Sequence, residues 1–460
     1  MAIKYKPHAY QTRAIKFGVS RPNAGFLLTP GLGKTSISLA IFKILKKQGF
    51  VNRMLVLAPL RAVYSVWPKE VEKWDEFKGL SVGILHGPNK DDVLRKNHDI
   101  YVMNYEGLGW FTDMLGTRQA GLFTKIDMLV VDESYKMKET RTLRFKLLKP
   151  LLPRFKRRYI LTGHPIGNSL LDLFGQVYVM DMGKALGPRF THFREEFFFS
   201  TGYMGHDWVL KPGAEKAIYR RVAPSVLRMD AKDYLSLPPL IVKDVEITLP
   251  DKAMRIYKQM EKQLRIDLEA GTVTAANAAV ASMKCRQLAN GGIYTDLEHN
   301  WNDIHTEKAE AVGDIVEELS GQPAFIAYDF LHDLHRLKQV LGKDTPHIGG
   351  GVTVKRGKEI EEAWNRGELP CLLGQPQSVA HALNLQGSVD GGAVILHSLP
   401  WSHDLYEQFI QRVWRQGQKK TVIVHRLIAK GTIDEAIIRA LERKGKVQND
   451  FFNALREYLK

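Results

Sequence analysis

Residues 29–35 form a glycine-rich turn that reads Thr29-Pro30-Gly31-Leu32-Gly33-Lys34-Thr35. An apolar run precedes the turn, and the residues after it repeat apolar side chains with the period of an amphipathic helix. Glycines between a strand and a helix let backbone N–H groups approach phosphate oxygens at the helix N-terminus. The stretch therefore predicts an α/β fold with a phosphate-binding loop at the end of its first strand.

Four residues of this turn have predicted roles in ATP binding. Gly31 and Gly33 would shape the loop, Lys34 would neutralise the β- and γ-phosphates, and Thr35 would bind Mg²⁺. The strict pattern has a glycine where Leu28 stands, so a coincidental glycine-rich turn is the alternative.

Short apolar runs recur along the chain and predict strands buried on both faces of parallel sheets. They are residues 25–28, 54–58, 100–103, 128–131 and 159–161 in the first half and 324–328, 371–373, 393–396 and 422–425 in the second. Helical patterns separate them, which indicates α/β layers in two sets. We predict one lobe at 1–235, with a helical insertion after residue 170, and a second at 236–460. The region between the two sets of strands includes a long helical segment at 252–289.

The composition indicates a basic globular protein and favours a polyanion as its partner. The 460 residues exceed what one hydrophobic core usually supports, and Lys plus Arg exceed Asp plus Glu by 66 to 50, which leaves a net charge of +16. The two cysteines form no CxxC pair, so neither a zinc site nor a disulfide framework is expected. Without a signal-like N-terminus or a membrane-length apolar run, we expect a cytoplasmic location and no membrane partner.

A second candidate motif ends the apolar run at 128–131 with Asp132-Glu133. Asp132 would hold Mg²⁺ through water, and Glu133 would polarise the water that attacks the γ-phosphate. An Asp-Glu pair at a strand end is also common by chance, so the prediction depends on the phosphate loop in the same lobe.

Two further stretches are candidates for sensing or stabilising the γ-phosphate. Leu161-Thr162-Gly163-His164 follows a strand, although a plain turn is the alternative. Arg412 and Arg415 in the second half lie three residues apart, on one face if the segment is helical. An arginine from a second lobe would stabilise transition-state charge, whereas a solvated basic face is the alternative.

Taken together, these stretches resemble the core of superfamily 2 helicases, specifically its SNF2-like branch. The resemblance spans nearly the whole chain and is closest to compact helicase-like proteins of phage and prophage. It rests on nine ordered elements: residues 6–11, 29–35, 57–59, 104–106, 132–134, 161–169, 325–328, 375–386 and 401–418, the last with the Arg-x-x-Arg-x-Gly-Gln ending. The chain departs from that branch at Thr29-Pro30, usually an acidic residue and Met, and at Val379, Ala380 and Ala382, usually glycines.

This resemblance implies two tandem RecA-like lobes with helical insertions between them and ATP bound at the inter-lobe cleft. Gln11 would contact adenine, and Arg412 and Arg415 would reach the ATP from the second lobe. Lobe closure and reopening would move the protein along DNA, whose backbone would be gripped by Arg61, Asn104, Tyr105, Gly163 and Ser378. The aromatic residues of 193–208 would either stack on bases or form the core of the insertion.

The predicted function is therefore an ATP-dependent DNA translocase or helicase, a nucleic-acid-stimulated ATPase with ATP and Mg²⁺ as cofactors. Phage-type DNA replication or recombination is the expected setting, in the host cytoplasm if phage-encoded. The expected partners are duplex or branched DNA and replication or recombination proteins, with the monomer as the active form. A strand-annealing or branch-migrating motor and a non-hydrolysing nucleic-acid-binding protein are the alternatives.

Overall fold

The chain forms two units in the computed structural model, Met1–Leu235 together with Lys446–Lys460, and Ser236–Gly445. The predicted lobes, 1–235 and 236–460, differ from these units in the assignment of residues 446–460. The structure describes residues 3–115, 121, 125–167, 169–201, 207–235, 237–269, 275–379, 383, 385, 392–415 and 417–458.

The first unit is built on a seven-stranded sheet with all neighbouring strands parallel, and it also carries an antiparallel hairpin of Phe198–Thr201 with Asp207–Leu210. Its strands are β1 (Asn23–Leu28), β2 (Arg53–Ala58), β3 (Val82–Ile84), β4 (Ile100–Asn104), β5 (Ile126–Asp132), β6 (Arg157–Thr162), β7 (Phe198–Thr201), β8 (Asp207–Leu210) and β9 (Val226–Met229). The sheet order is β3-β4-β2-β5-β6-β1-β9. Because β6 lies between β1 and β5, the residues that follow these three strands meet at one edge of the sheet.

Helices of the first unit connect the strands and cover the sheet. They are α1 (Ala9–Val19), α2 (Lys34–Lys47), α3 (Leu60–Ser65), α4 (Trp67–Lys73), α5 (Lys90–Arg95), α6 (Leu108–Leu115), α7 (Leu143–Leu148), α8 (Asp172–Asp181), α9 (Phe190–Phe197), α10 (Ala214–Val222) and α11 (Ala231–Tyr234). The central strands are almost wholly buried, as expected where helices cover both faces of a parallel sheet.

The aromatic stretch at 193–208 packs mainly into a core. Phe193, Phe197 and Phe198 are buried in one cluster with Phe174 of α8, whereas Phe199 is 42% exposed. The prediction of a helical insertion omitted the β7–β8 hairpin, which local aromatic and β-branched residues favour. Residues 202–206 of this stretch lie outside the described residues.

The second unit contains a six-stranded parallel sheet and a separate antiparallel pair, β11–β12. Its strands are β10 (Leu240–Ile247), β11 (Gly292–Tyr294), β12 (Trp301–Asp303), β13 (Ala324–Ala327), β14 (His347–Ile348), β15 (Cys371–Gly374), β16 (Gly392–Leu396) and β17 (Val422–Ala429). Its sheet order is β10-β17-β16-β13-β15-β14. The helices are α12 (Asp251–Glu269), α13 (Ala275–Asn290), α14 (Glu307–Glu318), α15 (Leu331–Leu341), α16 (Val354–Asn365), α17 (Pro376–Val379), α18 (His403–Ile410) and the first part of α19 (Ile433–Tyr458), whose residues from Lys446 onward belong to the first unit.

The α/β class with two RecA-like lobes is confirmed, since every predicted apolar run falls on a strand of one of two parallel sheets. The long helical segment predicted at 252–289 corresponds to α12 and α13, and residues 270–274 lie outside the described residues. Cys285 and Cys371 are both free and buried. Within the part of the chain that the structure describes, no helix has the length and apolar character needed to cross a membrane.

Candidate nucleotide-binding site

The loop between β1 and α2 has the backbone that its glycines predict. Gly31 and Gly33 have φ values of 91° and 77°, and Gly33 is the left-handed N-cap of α2. A Cβ added to Gly33 would lie 2.5 Å from Nε2 of Gln11, so a side chain there would be both strained and crowded. The turn therefore presents its backbone N–H groups next to the N-terminus of a 14-residue helix.

Gln11, the predicted adenine contact, lies against this loop. Its Nε2 donates to the backbone oxygen of Leu32 at 3.3 Å, and its Oε1 accepts from the backbone N–H of His8 at 2.9 Å. Gln11 is on α1 and 8% exposed. Its hydrogen bond to Leu32 places it against the phosphate loop in the first unit.

Lys34 and Asp132 face the same edge of the first sheet. Lys34 begins α2, and its Nζ donates to the backbone oxygen of Leu28 at 2.9 Å, while Thr35 follows it in the first turn. Asp132 is the last residue of β5. Burial, together with the neighbouring Glu133 carboxylate, raises the pKa of Asp132 to about 6, while Lys34 opposes the shift. A buried carboxylate of this kind gains from a bound cation, because the cation offsets its lost hydration.

Glu133 has a left-handed backbone, with φ 54°, directly after β5. Its backbone N–H donates to Oδ1 of Asp132 at 3.1 Å. A positive φ outside glycine costs free energy and is enriched at functional sites. The predicted Mg²⁺ ligand and the predicted catalytic carboxylate are thus consecutive, and a main-chain hydrogen bond connects them.

Gly163 packs against the phosphate loop. A Cβ added there would lie 3.0 Å from Cδ of Pro30 and 3.4 Å from the backbone oxygen of Leu28. Thr162 accepts a hydrogen bond from the backbone N–H of His164 at 3.1 Å through its Oγ1. The stretch predicted to sense the γ-phosphate therefore contacts the phosphate loop, and Asn168, later in the element at 161–169, lies outside the described residues.

Two of the residues predicted to contact DNA have buried side chains. Tyr105 is 4% exposed and donates its hydroxyl to the backbone oxygen of Asp132. Asn104 is 6% exposed, and its Nδ2 donates to Oε2 of Glu106 at 2.9 Å. In the first unit these two side chains therefore contact protein groups rather than presenting themselves to solvent. Arg61, in contrast, is half-buried on α3.

Trp67 is a residue of this site that the sequence analysis missed. The indole N–H of Trp67, which is 1% exposed, donates to Oδ2 of Asp132 at 3.1 Å. A tryptophan on an apolar helix face is ordinarily a core residue, so no local pattern marked it. Its contact with Asp132 joins positions 65 residues apart, which only the tertiary fold brings together.

Arg412, Arg415 and Ser378 belong to the second unit. Helix α18 ends at Ile410, so the two arginines lie in the turns that follow and do not share a helix face. Arg412 donates to the backbone oxygen of Gln408 at 3.0 Å, which satisfies a carbonyl in the last turn of α18, and to that of Leu383 at 2.9 Å.

The other two second-unit candidates have distinct surroundings. Burial lowers the pKa of the Arg415 guanidinium, which Glu361 partly opposes, and an arginine still keeps its charge at neutral pH. Ser378 is half-buried on α17 and donates to Oε1 of Gln375 at 3.1 Å. Much of the predicted motif around Ser378, including Ala380 and Ala382, lies outside the described residues, as does Gln416 beside Arg415.

The residues at the edge of the first sheet fit a magnesium nucleotide. The glycine turn and Lys34 suit phosphates, and the Thr35 hydroxyl and Asp132 carboxylate are the oxygen ligands that Mg²⁺ prefers. Among the described residues no cluster of three or more His, Cys, Asp or Glu side chains could hold a metal ion. A Mg²⁺ that accompanies a nucleotide does not require one, because phosphates and water supply most of its ligands.

Comparison with known proteins identifies the family. The family model described as "SNF2-related domain" matches residues 10–293, which is more than half of the chain. The chain belongs to the SNF2-related family. It is an ATPase core of that family, and the phosphate loop, Asp132 and Glu133 all fall within the matched range.

Relatives of the chain include phage and eukaryotic proteins. A "Putative protein p41" of Acyrthosiphon pisum secondary endosymbiont phage 1 is 30% identical over 98% of this chain and 99% of its own length. The "DNA repair and recombination protein RDH54" of Saccharomyces cerevisiae strain JAY291 is 23% identical over 92% of this chain and 50% of its own. The bovine "DNA annealing helicase and endonuclease ZRANB3" is 24% identical over 99% of this chain and 41% of its own.

The chain thus spans nearly all of the phage protein but half or less of the yeast and bovine proteins. Among solved structures it is similar to a "Sulfolobus solfataricus SWI2/SNF2 ATPase core in complex with dsDNA", at 22% identity and a TM-score of 0.45. That similarity covers 97% of this chain and 93% of the archaeal chain.

Proposed function

We propose that the protein is a DNA-stimulated ATPase that converts ATP hydrolysis into movement along duplex DNA. The observation that carries the proposal is the phosphate loop beside Asp132 and Glu133 in a chain of the SNF2-related family. A net charge of +16 suits a polyanionic track, and two relatives carry names that refer to DNA.

In this proposal each nucleotide-site residue of the first unit has a defined role. The loop N–H groups and Lys34 bind the phosphates, while Thr35 and Asp132 hold Mg²⁺. Bound Mg²⁺ would supply positive charge to the β- and γ-phosphate oxygens as negative charge develops. Glu133 orients and deprotonates the attacking water, since its carboxylate directly follows the metal ligand. The contribution of Arg412 and Arg415 stays a prediction from the resemblance.

Phage-type DNA replication or recombination is the proposed setting. Support comes from the phage relative, which this chain matches over almost its whole length. Action in the host cytoplasm as a monomer, together with replication or recombination proteins, is part of the same proposal.

Steady-state ATPase assays with different polynucleotides test the proposal. Duplex, single-stranded, forked and four-way DNA are compared with RNA of equal length at several salt concentrations, because phosphate contacts are salt-dependent. We expect duplex DNA to stimulate hydrolysis more than RNA does. Stimulation by RNA but not by duplex DNA would contradict a DNA track, and a chain that binds DNA without hydrolysing ATP would be the non-hydrolysing alternative.

Strand annealing or branch migration is the second candidate, because one relative is named an annealing helicase. It predicts ATP-dependent conversion of four-way junctions or annealing of complementary strands. A pure translocase leaves both substrates unchanged while still hydrolysing ATP, so one assay on the two substrates separates the candidates.

A further inference from the structure

Asp132 is held by two buried side chains that none of the predicted nucleotide-binding stretches contains. The Trp67 indole donates to Oδ2 at 3.1 Å, and the Tyr105 hydroxyl donates to the backbone oxygen of the same residue. Both donors are almost completely buried. Hydrogen bonds to an ionised group in a water-excluded site are strong and directional, so they orient the group that accepts them.

The carboxylate of Asp132 is held at both of its oxygens. Oδ2 accepts from Trp67, whereas Oδ1 accepts from the backbone N–H of Glu133 at 3.1 Å. Rotation of the carboxylate would break both bonds. Only the lone pairs that these donors leave are available to a cation or its water ligands, so the donors define the direction from which Mg²⁺ can be bound.

The two donors lie within or next to segments that the sequence predicts to contact DNA. Arg61, a predicted backbone contact, is on α3, and Trp67 begins α4 after a single intervening residue, Val66. Tyr105 directly follows the end of β4, within another predicted contact segment. A shift of either segment by about 1 Å would weaken its hydrogen bond to Asp132, because hydrogen bonds lose strength steeply with distance and angle.

We propose that Trp67 and Tyr105 are positioning residues that connect DNA binding to the Mg²⁺ ligand Asp132 within the first unit. DNA seated on the segments of α3 and β4 sets the orientation of the Asp132 carboxylate, and this orientation sets Mg²⁺ binding and the rate of hydrolysis. The part that concerns DNA rests on the proposed function, whereas the part that concerns Mg²⁺ does not.

Trp67→Phe and Tyr105→Phe test the two hydrogen bonds, and Trp74→Phe is a matched control. Trp74 lies on the same stretch of chain and donates its indole N–H to Oε1 of Glu70 at 2.7 Å. Its substitution therefore also removes an indole–carboxylate bond, but one that does not involve Asp132. Melting temperatures establish that each variant is folded.

The first readout is the Mg²⁺ dependence of binding of a methylanthraniloyl-labelled ADP, which requires neither turnover nor DNA. Loss of a hydrogen bond to a charged group predicts a Mg²⁺ half-saturation about tenfold higher for Trp67→Phe. Because the acceptor of the Tyr105 hydroxyl is a neutral backbone oxygen, we expect the Mg²⁺ half-saturation to rise only about threefold for Tyr105→Phe. Trp74→Phe should bind like the wild type.

The second readout is the ratio of ATPase rates with and without duplex DNA. Trp67→Phe should lower this ratio while the affinity for DNA stays unchanged, since the indole does not contact DNA. A purely structural tryptophan would lower the melting temperature and leave the Mg²⁺ dependence and the ratio unaltered.

The possible outcomes distinguish the positioning role of Trp67 from its connection to DNA binding. Wild-type Mg²⁺ dependence in folded Trp67→Phe overturns the positioning role, and a shifted Mg²⁺ dependence with an intact ratio overturns the connection to DNA. If the wild type is not stimulated by any DNA, the proposed function fails while the Mg²⁺ titration still decides the positioning role. If Trp67→Phe does not fold, Tyr105→Phe, which removes one oxygen atom, decides it.

Discussion

The two units share a parallel α/β sheet but use the charged residues around it in opposite ways. In the first unit, Lys34, Asp132 at the end of β5 and Glu133 after it lie beside a glycine turn at the N-terminus of a helix. In the second, Lys308 and Asp434 are 0% and 2% exposed and bind each other at 2.6 Å, with Asn290 as a further partner at 3.0 Å.

This difference shows that the fold alone does not create a nucleotide site. Opposite charges that pair with each other in a buried core hold the native arrangement together, but they are not available to bind a ligand. The first unit instead buries Asp132 next to Glu133, at a cost that a bound cation would offset. Chemistry therefore belongs to the residues placed on the sheet rather than to the sheet itself.

Lys34→Ala is the substitution expected to have the largest effect. Without the ammonium group the γ-phosphate loses its main protein cation, and turnover should fall at least about a thousandfold. DNA affinity should stay near the wild-type value. ATPase assays and DNA-binding titrations check the two parts, and normal turnover would remove Lys34 from the site.

Arg415→Ala tests whether the second unit contributes to hydrolysis at all. If its guanidinium stabilises transition-state charge, kcat should fall about 10³-fold with little change in nucleotide affinity. Arg412→Ala is the informative companion, because Arg412 also donates to the backbone oxygens of Gln408 and Leu383, and its loss should lower thermal stability as well. An unchanged kcat in Arg415→Ala would limit the ATP site to the first unit.

Lys308→Met tests whether the buried ion pair of the second unit has a purely structural role. Leaving Asp434 buried without its partner should destabilise the protein by about 3–5 kcal/mol. The exposed pair of Lys258 and Glu261 provides the control, since Lys258→Met should cost less than about 1 kcal/mol. Chemical denaturation measures both. Nucleotide binding that is lost in Lys308→Met while the fold is intact would mean that the buried pair is not purely structural.

Gly33→Ala, compared with Gly49→Ala, has the smallest expected effect. Both glycines have a φ of 77°, but a Cβ at Gly49 meets nothing within 4 Å, whereas at Gly33 it meets Gln11. Strain from a positive φ should destabilise both variants by about 1 kcal/mol. Only Gly33→Ala should also weaken nucleotide binding. Equal nucleotide affinity in the two variants would show that the loop tolerates a side chain.

Local patterns predicted much of the fold and of the site. Buried strands appear as apolar runs, and the phosphate loop is a contiguous stretch, so both were visible in the sequence. The contact of Trp67 with Asp132, the pair of Lys308 with Asp434 and the end of α18 before Arg412 were not, because each depends on residues distant in sequence or on tertiary hydrogen bonds. The β7–β8 hairpin was missed because each of its strands is only four residues long.

Displacement of the third strand from a DNA triplex most directly tests movement along duplex DNA driven by the site at Lys34. We predict that the wild type displaces the strand only with ATP and Mg²⁺, and that Lys34→Ala binds the same substrate without displacing it. Duplex-stimulated ATP hydrolysis by the wild type without displacement would contradict translocation, and displacement by Lys34→Ala would contradict the assigned ATP site.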